Sequence, residues 1–116
     1  MNSLIESIFE DFKVGKETIP VSFLFYDGKA NKYVVYQQVN ADKSYSADDK
    51  LQGYVVYYDF DVYCRGNLTQ IVDAVRSILE ENDFIWQPSR SSEDMYERDT
   101  GLYHKTLNFS YLKQEV

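Results

Sequence analysis

The stretch from Gln52 to Cys64 constrains the fold of this chain more than any other feature. Its side chains alternate in character along the whole length, which is typical of a β-strand with one face buried and the other partly solvated. The predicted core face consists of Val56, Tyr58, Phe60, Val62 and Cys64, and the opposite face of Val55, Tyr57, Asp59, Asp61 and Tyr63. A strand of this length needs neighbouring strands and a second layer over its apolar face, so the sequence predicts a sheet covered by helices.

Two amphipathic stretches predict the helices of that layer. In the first, Ser3 is a plausible N-cap with Glu6 as its capping-box partner, and Gly15 can end the helix. The second has Asn67 as its N-cap and ends at Asn82-Asp83. The apolar stripes consist of Leu4, Ile5, Ile8, Phe9 and Phe12 in the first helix, and of Leu68, Ile71, Val72, Val75, Ile78 and Leu79 in the second.

Further strands are predicted before and after the long one. We expect residues 21–26 and 33–39 to form a hairpin through Asp27-Gly28, and the polar residues 40–50 to form a loop. Residues 84–87 open a strand that Pro88 restricts to an edge or an irregular stretch, and residues 106–112 form the last strand, with Leu107, Phe109 and Tyr111 on its apolar face. The prediction is one α+β domain over residues 1–116, of order αβββαββ. It has two layers: a mostly antiparallel sheet of about five strands and two helices on one face.

Charge and cysteine content exclude several function classes. The net charge of −7 argues against specific nucleic acid binding and against an anionic membrane surface. The single cysteine, Cys64, excludes a disulfide framework and cysteine-cluster metal sites. No apolar run is long enough for a membrane span, and the first residues lack a secretory signal, so we expect a cytosolic protein.

No residue constellation predicts catalysis. His104 is the only histidine, and we interpret it as a strand residue on a partly solvated face. Cys64 could pair with it as a nucleophile, but its position on the apolar face favours a small core residue. Asp59 and Asp61 share a strand face, yet two carboxylates are fewer ligands than a cation site needs. We therefore expect no catalytic residues, no metal and no cofactor.

The segment from Trp86 to Gly101 is too long for an ordinary connection between two strands. Arg90 and Arg98 lie among four carboxylates, and Met95-Tyr96 place apolar bulk in the middle. One interpretation is a solvated loop with local ion pairs. The other is a docking arm that is mobile in the isolated subunit and orders against a partner.

Several runs in the second half of the chain resemble a family of small prophage proteins of Gram-positive bacteria. They are Tyr58-Asp59-Phe60-Asp61-Val62-Tyr63, the helix start at Gly66-Asn67, the run from Trp86 to Glu97, and the run from Asp99 to Leu107. These proteins are tail-assembly components of long-tailed phages, similar to the tail completion or tail terminator proteins. The resemblance implies a non-catalytic α+β subunit that works in a ring, commonly a hexamer. It would end the tail tube and join it to the head, and its partners would be itself, the tube and the head–tail connector proteins.

A virion part of this kind would be assembled in the host bacterial cytoplasm and reside in the virion tail. The sheet face without helices and the long segment then become candidate subunit or partner interfaces, since aromatic residues and arginine are enriched at interfaces. The candidate interface residues are Tyr57, Asp59, Asp61, Tyr63, Arg90, Met95, Tyr96 and Arg98. An alternative is a small prophage-encoded binding or regulatory module that docks a partner through residues 88–100.

Overall fold

The structure, a computed structural model, describes residues 2–47 and 50–114, with side chains described over 2–39 and 55–113. It contains two helices, eight strands and a short 3₁₀ turn within those residues. In chain order the elements are α1 (Asn2–Ile8), β1 (Lys13–Val14), β2 (Glu17–Thr18), β3 (Val21–Phe23), β4 (Lys32–Ala47), β5 (Lys50–Cys64), α2 (Thr69–Glu81), β6 (Ile85–Trp86), the 3₁₀ turn (Pro88–Arg90), β7 (Met95–Glu97) and β8 (Leu102–Gln114).

One mixed sheet carries the fold, with strand order β3-β4-β5-β8-β6, and β7 also pairs with β8. The long strand β5 lies at its centre, antiparallel to both β4 and β8. β1 and β2 form a separate small hairpin. The α+β class, the mostly antiparallel sheet and the two helices confirm the fold class predicted from the sequence.

The core lies between the sheet and the two helices. The even-numbered side chains of β5 from Val56 to Cys64 are all buried, as the alternation predicts. They pack in one cluster with Ile5 of α1 and with the α2 stripe, in which Leu68, Ile71, Val75 and Leu79 are buried and Val72 and Ile78 partly so. Both helices therefore cover the same face, because their apolar residues share one core.

The predicted hairpin between residues 21–26 and 33–39 is wrong. β3 runs parallel to β4, with Val21 opposite Val34 and Phe23 opposite Tyr36. The backbone N–H of Leu24 donates to Tyr36 O at 2.9 Å, and Val34 N–H donates to Pro20 O at 2.9 Å. Asp27-Gly28 therefore belongs to a longer connection that returns the chain to the start of β4, and a two-residue hairpin turn cannot make such a parallel pairing.

The predicted loop over residues 40–50 is also wrong within the described residues. β4 continues to Ala47 and β5 begins at Lys50, whereas residues 48 and 49 lie outside the described residues. Three register shifts interrupt the pairing between Gln38 and Ser46. A polar sequence can extend a ladder in this way because antiparallel strands satisfy each other's backbone groups whatever their side chains.

The helix termini differ from the prediction. α1 ends at Ile8, and Ser3 lies inside it, so the proposed capping box is wrong. Gly15 has φ 63° in the turn between β1 and β2, the backbone conformation that a tight hairpin turn requires. The N-cap of α2 is Leu68 rather than the predicted Asn67, and the Asn67 side chain accepts a 2.8 Å hydrogen bond from Thr69 N–H at the start of the helix.

Candidate interaction surface

The sheet face opposite the helices, here called the open face, carries the odd-numbered side chains of β5. Tyr57, Asp59, Asp61 and Tyr63 lie on it as the alternation predicts, and all four are half-buried within the chain itself. Strand pairing places β8 beside them, with Asn108 opposite Asp59, Thr106 opposite Asp61 and His104 opposite Tyr63.

A row of four stacked rings crosses the open face. Tyr26 stacks on Tyr33 with 4.5 Å between ring centroids, Tyr33 on Tyr63 at 4.7 Å, and Tyr63 on His104 at 4.4 Å with the planes only 4° apart. The row follows from strand register, because Tyr33, Tyr63 and His104 occupy opposed positions on β4, β5 and β8. Such cross-strand aromatic pairs stabilise a sheet and create a broad flat surface.

Both open-face carboxylates are bound by neutral groups of β8. Asp59 Oδ1 accepts a 2.8 Å hydrogen bond from Asn108 Nδ2, and Asp61 Oδ1 accepts one of 2.6 Å from the hydroxyl of Thr106. His104 Nε2 lies 3.7 Å from Asp61 Oδ1. Burial raises the pKa of the Asp59 carboxyl, and the nearby Asp61 adds to this, whereas the hydrogen bond from Asn108 lowers it.

Tyrosine ionisation is suppressed along the ring row. Burial, together with the negative charges of Asp61 and Glu97, raises the pKa of Tyr63 to about 12. Burial and Glu97 also raise the pKa of Tyr33. Tyr33 and Tyr63 therefore keep their hydroxyl protons and present hydroxyl donors to a molecule that lies against them.

The part of the chain that the structure describes contains no group of three or more His, Cys, Asp or Glu residues placed to hold a metal ion. Within the same ranges, no helix has the length and apolar character that crossing a membrane requires. Cys64 is buried in the core, and its thiol lies 3.7 Å from Asn67 O. The structure separates it from His104, which lies on the other face of the sheet.

The segment from residue 86 to 99 is not the free loop that the sequence suggested. It runs along the outer edge of β8 as two short strands, β6 and β7, separated by the 3₁₀ turn at Pro88. Ser91 Oγ accepts hydrogen bonds from Trp86 Nε1 and from the backbone N–H of Asn108, and it donates to Gln87 O. Ser92 exchanges two 2.9 Å hydrogen bonds with the backbone of Thr106. The prediction that Pro88 confines this stretch to an edge is confirmed.

The structure brings two predicted interface residues of this segment, Arg90 and Met95, to the open face and leaves the others apart. The guanidinium of Arg90 lies 3.9 Å above the ring of Tyr57. Met95 is paired opposite His104 and is 43% exposed. Tyr96, 55% exposed, points to the other face and contacts Tyr103, and Arg98 is exposed in the turn after β7. The predicted set is therefore not a single patch.

The sequence analysis missed three of the four residues of the ring row. Tyr26, Tyr33 and His104 carry no signal of their own, because their neighbours across the sheet depend on register, which local alternation does not specify. Gly28 is the residue related to this row, because a Cβ at its position would collide with the ring of Tyr26. Glycine allows that ring to lie over the backbone, where its hydroxyl accepts a 3.0 Å hydrogen bond from Ala30 N–H.

The fold and the open face define a small α+β domain with an aromatic and charged surface of the kind that proteins use for contacts with one another. The model of the family described as Tail completion protein gp17 matches residues 24–113. The chain belongs to this family of phage tail completion proteins, a structural family with a role in phage tail assembly. A search of curated proteins found no match to the chain.

Proposed function

We propose that this chain is a non-catalytic ring subunit that ends the phage tail tube and joins it to the head. The family match over residues 24–113 is the observation that carries the proposal. The ring, with the hexamer as the expected form, would be built in the host cytoplasm and remain in the virion tail. Its partners would be further copies of the chain, the last ring of the tail tube and the head–tail connector.

The open face supports a role in protein contacts. Tyrosine, arginine and histidine side chains are held there by contacts within the chain: ring stacking, the packing of Arg90 on Tyr57, and the Asp59 and Asp61 hydrogen bonds. A preordered aromatic surface loses little conformational entropy on binding, which favours stable association. The net charge of −7 adds a further advantage, because an acidic ring would repel DNA phosphates as the genome passes.

The proposal is tested by deleting the gene from an inducible phage and examining the lysate by electron microscopy. We expect full heads and tails that are not joined, and tails of irregular length, with both defects repaired when the wild-type protein is supplied from a plasmid. Normal joined virions in the deletion would overturn the proposed role.

The same deletion separates this role from the alternative of a small regulatory module. A regulatory protein would change when or how much phage is made and would leave the virions that appear correctly joined. Within residues 88–100, the ones that would dock in the alternative, residues 95–97 are paired with β8 and Ser92 N–H donates to Thr106 O.

A further inference from the structure

Three consecutive large apolar side chains are exposed where β3 ends. Phe23, Leu24 and Phe25 are 41%, 56% and 68% exposed, and we call them the knob. Contiguous apolar surface of this kind on a soluble domain marks a contact site more often than chance exposure does. The knob lies at the β3 edge of the sheet, away from the open-face residues of β5.

The backbone of the knob is strained. Leu24 has φ 70°, and Phe25 N–H donates to Phe23 O at 2.9 Å, which together form a γ-turn of the rare positive-φ type. The hydrogen bond from Leu24 N–H to Tyr36 O ties this turn to β4. A leucine with positive φ raises the free energy of the folded state locally. Strained residues of this kind are concentrated at functional positions.

A cavity of about 220 Å³ opens at the other edge of the sheet, between α2 and β6. Its apolar lining comes from Leu68, Val72, Trp86 and Leu107. Its polar lining comes from Thr69, Asp73, Arg76, Asp94 and Lys105, and the guanidinium of Arg76 lies 3.8 Å from the centroid of the Trp86 ring. An apolar cavity of about 150 Å³ is sufficient to bind benzene. The cavity beside Trp86 is therefore large enough for a phenylalanine ring or a leucine side chain.

The knob of a chain cannot fill its own cavity. β3 and β6 are the two ends of the strand order β3-β4-β5-β8-β6, so they lie about 19 Å apart at the usual strand spacing of ~4.8 Å. A contact between two different surfaces of identical chains is heterologous, and it generates a ring when the rotation closes.

The charges near the two edges are of opposite sign. Residues 13–32, around the knob edge, contain four lysines and two carboxylates, whereas residues 83–99, along the cavity edge, contain five carboxylates and two arginines. The lining of the cavity itself is balanced, with Asp73 and Asp94 against Arg76 and Lys105, so the difference in charge lies in the segments around it. This complementarity favours the approach of one edge to the other over the approach of two like edges.

We propose that the knob of one subunit docks into the cavity beside Trp86 of the next subunit, so that a second copy of this chain is the partner of both surfaces. This inference deepens the proposed function and rests on it, since the contact is the one that would propagate and close the ring. Phe25 and Leu24 supply the inserted side chains, and Asp73 at the rim meets the lysine-rich edge, whereas Asp94 is paired with Lys105 of its own chain at 3.2 Å.

Cross-linking between two single-cysteine proteins tests the contact. In a Cys64→Ala background, one protein carries Phe25→Cys on the knob and the other carries Thr69→Cys, an exposed position on the cavity lining. A short bis-maleimide should join the two in a mixture, and placing both substitutions on one chain should give a ladder of products up to the ring size. The matched control replaces Thr69→Cys with Leu112→Cys, which is 45% exposed and lies on the open face.

The outcomes distinguish this contact from the ring itself. A ring seen by light scattering whose cross-linking does not exceed the Leu112 control would overturn the docking and leave the ring proposal standing. A protein that stays monomeric at every concentration and yields no cross-link, alone or in assembled tails, would overturn both. If the cross-linked products end at a dimer, two subunits contact each other reciprocally, and the proposed ring contact is contradicted.

A second variant separates the contact from fold stability. Leu24→Gly combined with Phe25→Ser relieves the positive φ and removes the apolar side chains, so the melting temperature of the monomer should stay the same or rise. The dissociation constant of the ring should increase by about tenfold or more, as for a contact at the centre of an interface. Unchanged assembly of this variant would contradict the proposal.

Discussion

Phe60 lies at the centre of the core, where five aromatic rings surround it. Its ring centroid is 5.7–5.8 Å from those of Phe9, Tyr36 and Phe109, and its side chain is fully buried. Phe60→Ala should lower the free energy of unfolding by about 3–5 kcal/mol, because the cavity left behind cannot collapse among so many rings. Urea denaturation measures the loss. Ile85→Ala, at a 62% exposed position, is the control and should change stability by less than about 0.5 kcal/mol.

Tyr63 should make the stability of the protein depend on pH in the alkaline range. Its pKa of about 12 in the folded state exceeds the ordinary value of 10.0, so the folded chain keeps this proton at pH values where the unfolded chain loses it. Stability should therefore fall as pH rises from about 10 through about 12. Urea midpoints across this range should decline less steeply in Tyr63→Phe than in the wild type. Tyr96→Phe, at an exposed ring, is the control, and equal slopes in all three proteins would show that Tyr63 is not the cause.

Asp59 and Asp61 should not form a metal site. Each carboxylate already accepts a hydrogen bond from a side chain of β8, and a cation would have to displace these donors while gaining few other oxygen ligands. Calcium, magnesium or manganese should leave the melting temperature unchanged. A saturable increase of several degrees that disappears in Asp61→Asn would contradict this prediction.

At the scale of elements, Ser91 attaches the edge segment to the sheet. Its hydroxyl forms hydrogen bonds with Trp86, Gln87 and Asn108. Ser91→Ala should cost about 1–3 kcal/mol, because it leaves partly buried donors unpaired. Hydrogen exchange should then accelerate at β6 and β7 before it does so at β5. Ser89→Ala, at an exposed position of the 3₁₀ turn, should leave both exchange and stability as in the wild type.

At the scale of the whole molecule, Met95 and Tyr96 remain candidate contacts for another subunit or a tail protein. Replacing both with Ser should leave the melting temperature nearly unchanged, since both are exposed and β7 pairs with β8 through its backbone. Assembly into rings or onto tails should weaken, as measured by sedimentation and by electron microscopy. Unfolding of the double variant would place these residues in the core, and intact assembly would make them ordinary surface.

The sequence by itself determined the helices and strands in which apolar side chains recur at regular intervals. The alternation from Val56 to Cys64 and the stripe from Leu68 to Leu79 each identify a buried face. When one face of a strand or helix is buried, apolar side chains recur along the sequence with the period of that backbone. The α+β class and the covering of the long strand by a helical layer follow from those two patterns. Runs such as Trp86 to Glu97 also carried the family resemblance.

Only the tertiary structure decided which strands meet and in what direction. The parallel pairing of β3 with β4, the edge pairing of residues 86–97 and the row from Tyr26 to His104 all depend on hydrogen bonds and contacts between residues distant in the chain. Local propensity is the same for a parallel and an antiparallel partner, and turn residues such as Asp27-Gly28 fit either connection. The free energy of the whole packed core and of the backbone hydrogen bonds between strands decides which strands pair and in what direction. No single segment of the sequence contains that information.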